Sequence, residues 1–231
     1  MDLLRVTKFN KKGPAKCRAF LFSVLILSGV SRLADGWPGN FTGEARLYFR
    51  RMEPLRRQLR VARWGLPLAR AIAEEIGGDK AAVRMLVREL FGEDVEVRKR
   101  AADVARRITE ADGTLLEPYA DELAGLLETL PVEESRTRWH LGLVVPRIAH
   151  TRPQRLRAAR TMSLLAEDES NVVRCSAVEG LGLLATKEVS LWDEAEEMVE
   201  SFLREGTTAM KCRARGVIRL WARSERRKAS H

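Results

Sequence analysis

The chain has 231 residues, of which 45% are hydrophobic and 32% charged, and its formal net charge is +9. This length is sufficient for one sizeable core with an appendage. The positive charge is uneven: residues 1–70 hold 15 basic and 4 acidic residues, which leaves 26 basic and 28 acidic residues for 71–231. A strongly basic body would favour a nucleic-acid groove, and this near-neutral body argues against one.

The N-terminal segment 1–51 combines a basic stretch, from Lys8 to Arg18, with a run of twelve apolar or small residues at 19–30. This order resembles the start of a secretory signal, but the run is short for a membrane span, which needs about 20 residues. Three interpretations stay open: a signal or anchor, a terminal helix packed on the fold, or upstream sequence outside a folded protein that starts at Met52. The first would make the protein exported or membrane-associated.

Residues 53–91 show two helical patterns separated by a break at Gly77-Gly78-Asp79. Leu55, Leu59, Ala62 and Leu66 share one helical face, and a second face runs from Ala81 to Phe91. We expect this region to form a degenerate first repeat. The remaining chain to residue 231 continues the same domain, so the predicted folded domain is 52–231.

Four later segments share one pattern, which starts at a basic residue that we call the anchor. The anchors Arg98, Arg138, Arg174 and Lys211 lie 40, 36 and 37 residues apart. Apolar residues follow each anchor at three, six to seven and ten positions, which places them on one helical face. Second helical patterns lie near 115–130, 153–166 and 190–204. A period of about 35–45 residues with two helices per unit is typical of an α-solenoid, here with four to five repeats.

The segment from Leu165 to Ala185 resembles a HEAT repeat, with Asp168 six residues before Arg174. Glu205 has the same offset from Lys211, whereas the units of Arg98 and Arg138 lack an acid at that position. The resemblance covers about residues 80–223 and implies an all-α, armadillo-type solenoid. It also implies a ladder of acidic and basic side chains along the stack. The predicted ladder residues are Arg98, Arg138, Asp168, Arg174, Glu205 and Lys211.

No motif for phosphate-loop, zinc-peptidase or serine-hydrolase chemistry is found in the chain. The three histidines, His140, His150 and His231, have no metal-ligand spacing, so no metal or cofactor is expected. Cys17, Cys175 and Cys212 are odd in number, which argues against a complete disulfide framework. We therefore expect reduced thiols and a cytoplasmic location.

Positions one, two and five after each anchor should face away from the apolar stripe. The resemblance implies that the anchor-bearing helices line the concave side of the solenoid, so these positions form a candidate partner-binding surface. Trp139 at its centre either provides a binding hot spot or packs between repeats. The candidate residues are Lys99, Arg100, Asp103, Trp139, His140, Leu143, Glu179 and Arg213.

These observations favour a non-enzymatic scaffold or adaptor that binds a protein partner. The alternatives rest on resemblance, because HEAT-like repeats also build a family of alkylpurine DNA glycosylases and occur in phycobilin lyases. The glycosylases use aromatic residues and a carboxylate around a basic groove. Here Trp64, Trp139, Trp192-Asp193 and Trp221 are the available candidates, without a residue-by-residue match.

Overall fold

The computed structural model of the chain describes residues 55–229, which belong to one compact unit spanning residues 48–231. Every regular element among the described residues is helical and none is a strand, which confirms the prediction of an all-α fold. The segment 1–51, its apolar run 19–30 and the boundary at Met52 lie outside the described residues. None of the described helices has the length and apolar character needed to cross a bilayer.

A short helical segment at 55–59 is followed by nine longer helices in this described part. These are α1 (Leu66–Ile76), α2 (Lys80–Leu90), α3 (Val95–Ala111), α4 (Ala120–Thr129), α5 (Ser135–Ile148), α6 (Arg152–Ala166), α7 (Asn171–Lys187), α8 (Trp192–Glu205) and α9 (Thr208–Ala229). The three second helices expected from the sequence correspond to α4, α6 and α8. Helix α4 begins later than expected because the 3₁₀ turn Glu117–Tyr119 precedes it.

Local signals in the sequence fix several of the helix ends. Asp79 and Asp94 precede α2 and α3, and each side chain accepts a hydrogen bond from a backbone N–H of the first turn. Thr151 and Gln154 form a reciprocal capping box at the start of α6. Gly77 ends α1 with a φ of 46°, a left-handed conformation that a residue with a β-carbon adopts only with strain. The break predicted at this glycine is therefore confirmed.

Each helix from α2 to α9 packs against at least one neighbour in sequence, and most also pack against the next helix but one. Helices α3, α5, α7 and α9 carry the four anchors, and they pack in that order, each on the next. We call them the anchor helices. Helix α1 packs against α3 at the start of this series, and α4 packs against α6. The intervening helices α6 and α8 each pack against the anchor helices on both sides in sequence, and α4 packs against α5.

The apolar positions aligned on the anchors form the core of these helices. The residues three positions after the anchors, Ala101, Leu141, Ala177 and Ala214, are all fully buried. The residues ten positions after the anchors are buried as well, and the last of them is Trp221. The indole N–H of Trp221 donates to the backbone carbonyl of Gly182. The periodicity therefore predicted the buried stripe correctly, and burial of such a stripe is what stabilises a helix of this length in water.

Two expectations about the apolar faces are wrong. Ile218 is 42% exposed, because α9 is the last described helix and no other described helix covers that side. The face expected from Leu55 to Leu66 is interrupted, since the helix ends at residue 59, and Ala62 and Leu66 are exposed. A new helix starts at Leu66, where Pro67 occupies the first turn and needs no hydrogen bond there.

Candidate partner-binding surface

Trp139 on α5 is half-buried and lies at the centre of a cluster of cationic side chains. Its indole stacks on the imidazole of His140, with the ring centroids 4.4 Å apart. The guanidinium carbons of Arg106 and Arg136 lie 4.9 and 5.8 Å from the centroid of the indole, within range of a cation–π interaction. Arg136 is exposed, and no ion pair is found for it among the described residues. The cluster thus combines an aromatic ring with an uncompensated cation.

Asp103 on α3 connects this cluster to the start of the fold. Its Oδ2 accepts a hydrogen bond of 3.1 Å from the indole N–H of Trp64. Its Oδ1 lies 3.3 Å from Nη2 of Arg107 and 4.0 Å from Nδ1 of His140. The carboxylate therefore lies among an indole, a guanidinium and an imidazole, and its hydrogen bond to Trp64 joins α3 to the segment that carries that residue.

Burial lowers the pKa of His140 from 6.5 to about 4. Asp103 opposes this shift, but the neighbouring cations Arg106, Arg107 and Arg136 reinforce it. The imidazole is therefore neutral at neutral pH, and its contact with Asp103 is not an ion pair under those conditions. A neutral ring stacked on Trp139 adds no further positive charge to a cluster that is already cationic.

The expectation that all the candidate residues face solvent is wrong for three of them. Asp103, His140 and Leu143 are only 8, 6 and 3% exposed. Consecutive anchor helices pack closely, so positions two and five after the anchor on α5 lie at the contact with a neighbouring helix rather than at the surface. Lys99, Arg100, Trp139 and Glu179 are half-buried, and Arg213 is exposed.

Glu179 on α7 joins the other end of the candidate surface. Its carboxylate accepts a hydrogen bond of 2.9 Å from Arg213 of α9 and lies 3.7 Å from Arg147 of α5. Arg147 also donates to the carbonyl of Arg106 on α3, at 3.4 Å. A continuous series of polar contacts therefore runs across the four anchor helices, from Trp64 at one end to Arg213 at the other.

The side chains of this series have an excess of positive charge. Four carboxylates belong to it, and seven cationic side chains surround them. The carboxylates are those of Glu96, Asp103, Glu110 and Glu179, and the cations are Lys99, Arg100, Arg106, Arg107, Arg136, Arg147 and Arg213. Residues 71–231 thus include a basic face, although their net charge is close to zero. The net charge alone did not reveal this face.

Arg100 fastens the segment before α1 to the same face. Its Nη1 donates to the backbone carbonyls of Leu59 and Val61, both at 2.7 Å, and its guanidinium carbon lies 5.4 Å from the ring centroid of Trp64. Lys99, the neighbouring candidate, pairs with Glu96 on its own helix. Arg100 therefore has a structural role at the edge of the surface, and this places Trp64 beside Asp103.

The predicted ladder residues make two contacts between successive repeats. Arg98 pairs with Glu134, which precedes α5, and Arg138 pairs with Asp168, which precedes α7, at 2.5 Å. Asp168 thus contacts the anchor of the preceding unit, whereas Arg174 donates instead to the carbonyl of Ala166. For Arg98 and Arg138 the acidic partner therefore lies in the next unit, which the spacing within a single unit does not reveal.

The last unit departs from the predicted ladder. Glu205 lies next to Arg204, with 3.0 Å between Oε1 and Nε, and no ion pair joins it to Lys211 among the described residues. Helix α9 is the last anchor helix among the described residues, so no described unit after it supplies an acid to Lys211, as Glu134 does for Arg98 and Asp168 does for Arg138.

Sequence reasoning missed the arginines eight and nine residues after the anchors. Arg106 covers the ring of Trp139, and Arg147 reaches Glu179 of the following anchor helix. Arg107 and Arg147 both lie nine positions after an anchor, a recurrence that alignment of the repeats would have revealed. The role of Trp64 had no such signal, because its contact with Asp103 spans 39 residues of the chain.

The described residues contain no group of three or more His, Cys, Asp or Glu side chains arranged to hold a metal ion. Cys175 is a buried free thiol whose pKa is raised by burial, and Cys212 is an exposed free thiol. Cys17 lies outside the described residues. Comparison of the chain with protein-family models, with curated proteins and with solved structures finds no match.

Proposed function

We propose that this chain is a non-enzymatic interaction module, an α-solenoid of HEAT-like repeats that binds a protein partner through the face of its anchor helices. Packing of each anchor helix on the next supports the solenoid part of this proposal, because stacked helix pairs bury a continuous core in this manner. The solenoid's concave side would then be the face that carries Trp139.

The proposal depends on the side chains that surround the indole of Trp139. A half-buried indole with Arg106 and Arg136 against it, on a face with excess positive charge, has the composition of an interface hot spot. Such a face is complementary to an acidic segment with an apolar or aromatic side chain that covers the indole. We therefore propose an acidic protein segment as the partner and a reducing, cytoplasmic location for the complex.

The carboxylate of Asp103 supports a binding role over a catalytic one. Both of its oxygens face side chains of the protein itself, namely Trp64, Arg107 and His140. A general acid or base must reach the substrate directly or through one water. The contacts of Asp103 instead orient the residues around it.

The test compares two charge reversals of exposed arginines. Arg136→Glu alters the cluster at Trp139, and Arg160→Glu makes the same change at an exposed arginine of α6, which is not an anchor helix. Proteins retained from native lysate by the wild-type chain are identified by mass spectrometry, and the affinity of each for the variants is then measured. We expect Arg136→Glu to weaken binding at least tenfold and Arg160→Glu to leave it unchanged.

Trp139→Ala provides the second arm of this test. It should abolish binding in a variant that still shows a cooperative thermal transition, although some stability is lost because the indole packs on the core. Equal retention of every partner by the wild type and both cluster variants would refute the proposed surface.

Nucleic acid is the second candidate partner, and one observation favours it. Asp103 lies in contact with Trp64 and near Trp139, among several arginines, which are the residue types that HEAT-like alkylpurine glycosylases use. A gel shift with duplex DNA at low salt tests this alternative, with release of methylated bases as the enzymatic readout. A lost shift in Arg136→Glu, together with activity that requires Asp103, would support a glycosylase. No contact among the described residues favours the phycobilin-lyase alternative.

A further inference from the structure

The last two helices of the described chain carry opposite charges. Helix α8 has six acidic residues and one basic residue, and α9 has eight basic residues and one acidic residue. The two helices are neighbours in sequence and pack against each other. This separation of charge is sharper than in any other adjacent pair of the described helices, and it is independent of the surface around Trp139.

The acidic residues of α8 form an exposed face opposite its core side. Asp193, Glu196, Glu197 and Glu200 are all exposed and are spaced three or four residues apart, so they are neighbours on the helix. No ion pair or hydrogen bond of their side chains is found among the described residues, whereas Glu194 on the same helix bonds to Ser163. Four carboxylates thus lie side by side without a cation.

The basic residues of α9 form a matching face. Arg215, Arg219 and Arg223 are exposed and are spaced four residues apart, on the side opposite Val217 and Trp221, which are buried. None of the three forms an ion pair with a described residue. With a rise of about 1.5 Å per residue, the three arginines form a stripe about 12 Å long.

Neighbouring like charges on a helix repel each other and destabilise it. The helix dipole accounts for acids in the first turn of α8, such as Asp193, but not for Glu200 in its middle. Nor does it account for Arg215 and Arg219 near the middle of α9. The repulsion on both helices would be relieved together by a surface that has an acidic stripe beside a basic one.

We propose that this surface is that of a second copy of the chain, so that α8 of one copy lies on α9 of the other. A twofold axis parallel to the two helices generates both contacts at once, because an isologous interface repeats each pairing. A nucleic acid would neutralise only α9, and a basic segment only α8. A second copy satisfies both stripes, and this is why we favour it.

The size of the stripes predicts a weak dimer. Helix α8 has 14 residues and is about 21 Å long, so two helices of this length cover less area than a standard stable interface. Exposed ion pairs are also screened by salt, since the Debye length falls to about 3 Å at about 1 M ionic strength. The dimer should therefore dissociate on dilution and at high salt.

A charge-swap experiment tests the proposal in the full chain. The first variant carries Arg215→Glu, Arg219→Glu and Arg223→Glu, which makes both stripes acidic. The second carries Glu196→Lys, Glu197→Lys and Glu200→Lys, which makes both stripes basic. A matched control reverses three exposed arginines, Arg63, Arg70 and Arg84, none of which lies on α8 or α9.

The readout is the molar mass by sedimentation equilibrium at low salt, relative to 26.1 kDa for one chain. We expect the wild type and the control to approach twice that mass with rising concentration, and each swapped variant to stay monomeric. An equimolar mixture of the two variants should form a heterodimer, because each acidic stripe again faces a basic one. Circular dichroism checks that both variants keep their helical content.

A wild-type chain that stays monomeric up to its solubility limit would overturn the proposal. So would swapped variants that self-associate like the wild type, or a mixture of the variants that remains monomeric. Binding of duplex DNA by a monomeric wild type, lost only in the first variant, would assign the arginine stripe to a nucleic acid instead.

Discussion

Gly182 in the middle of α7 determines how closely α9 approaches. A β-carbon at this position would lie 3.2 Å from Cβ of Val217 and 3.0 Å from its Cγ2, and closer still to its Cγ1. Valine in a helix strongly prefers one χ1 rotamer, and rotation about χ1 would not move its Cβ. Relief of the overlap in Gly182→Ala therefore requires the helices to separate, which would loosen the contact that Val217 and Trp221 make with α7.

The size of the effect follows from two opposing contributions. Replacement of glycine by alanine inside a helix gains about 1 kcal/mol from helix propensity. Overpacking of a buried contact costs typically 1–3 kcal/mol, and we expect about 3 kcal/mol because three atoms of one stiff side chain are involved. The net loss of unfolding free energy is then about 2 kcal/mol. For a domain of this size, that lowers Tm by roughly 4–8 °C.

Gly216 on α9 provides a matched control in the same helix pair. A β-carbon there meets only the end of the Arg219 side chain, at 3.9 Å, so Gly216→Ala should raise stability by about 1 kcal/mol. Thermal and urea unfolding followed by circular dichroism measure both variants. If Gly182→Ala proves as stable as Gly216→Ala, that result would refute the close approach of α7 and α9 at Gly182.

Two further predictions concern buried polar groups. Asp168→Asn keeps the shape of the side chain but leaves the charge of Arg138 without its partner, so urea unfolding should show a loss of about 3 kcal/mol. The double variant Arg138→Met/Asp168→Asn should recover most of that loss. A double variant that loses as much unfolding free energy as Asp168→Asn alone would contradict a direct pair. The pKa of His140 is lower in the folded protein, so the unfolded chain binds its proton more readily. The stability from this group is complete above about pH 6.5 and declines as the pH falls toward about 4. His140→Gln should remove about 2 kcal/mol of the stability difference between about pH 7.5 and about pH 5, and an unchanged difference would argue against a buried neutral imidazole.

The helical class and the buried positions followed from the sequence because they depend on local order. A residue three positions after an anchor lies on the core side of its own helix whatever the partner helix is. Ala101, Leu141, Ala177 and Ala214 therefore needed no tertiary information, and all four are buried. Likewise, Asp94 and Gly77 determine helix ends by hydrogen bonds and backbone conformation within a few residues.

The candidate surface was only partly accessible to the same reasoning. The sequence identified Trp139 and its neighbours as a group apart from the apolar stripe, and the structure brings Asp103, Trp139 and His140 together. Exposure could not be predicted, because it depends on how closely the next helix approaches. Arg106 was missed for the same reason, since it comes from a different helix than Trp139.

Periodicity along the chain determined which residues form helices and which face of each helix is apolar, since both follow from 3.6 residues per turn. The spatial arrangement of the helices decided which charged groups meet. Arg138 finds Asp168 thirty positions later, and Asp103 holds Trp64 thirty-nine positions earlier. Such contacts depend on the distance between helices, which can be short where small residues such as Gly182 permit close packing. The local sequence does not determine that distance.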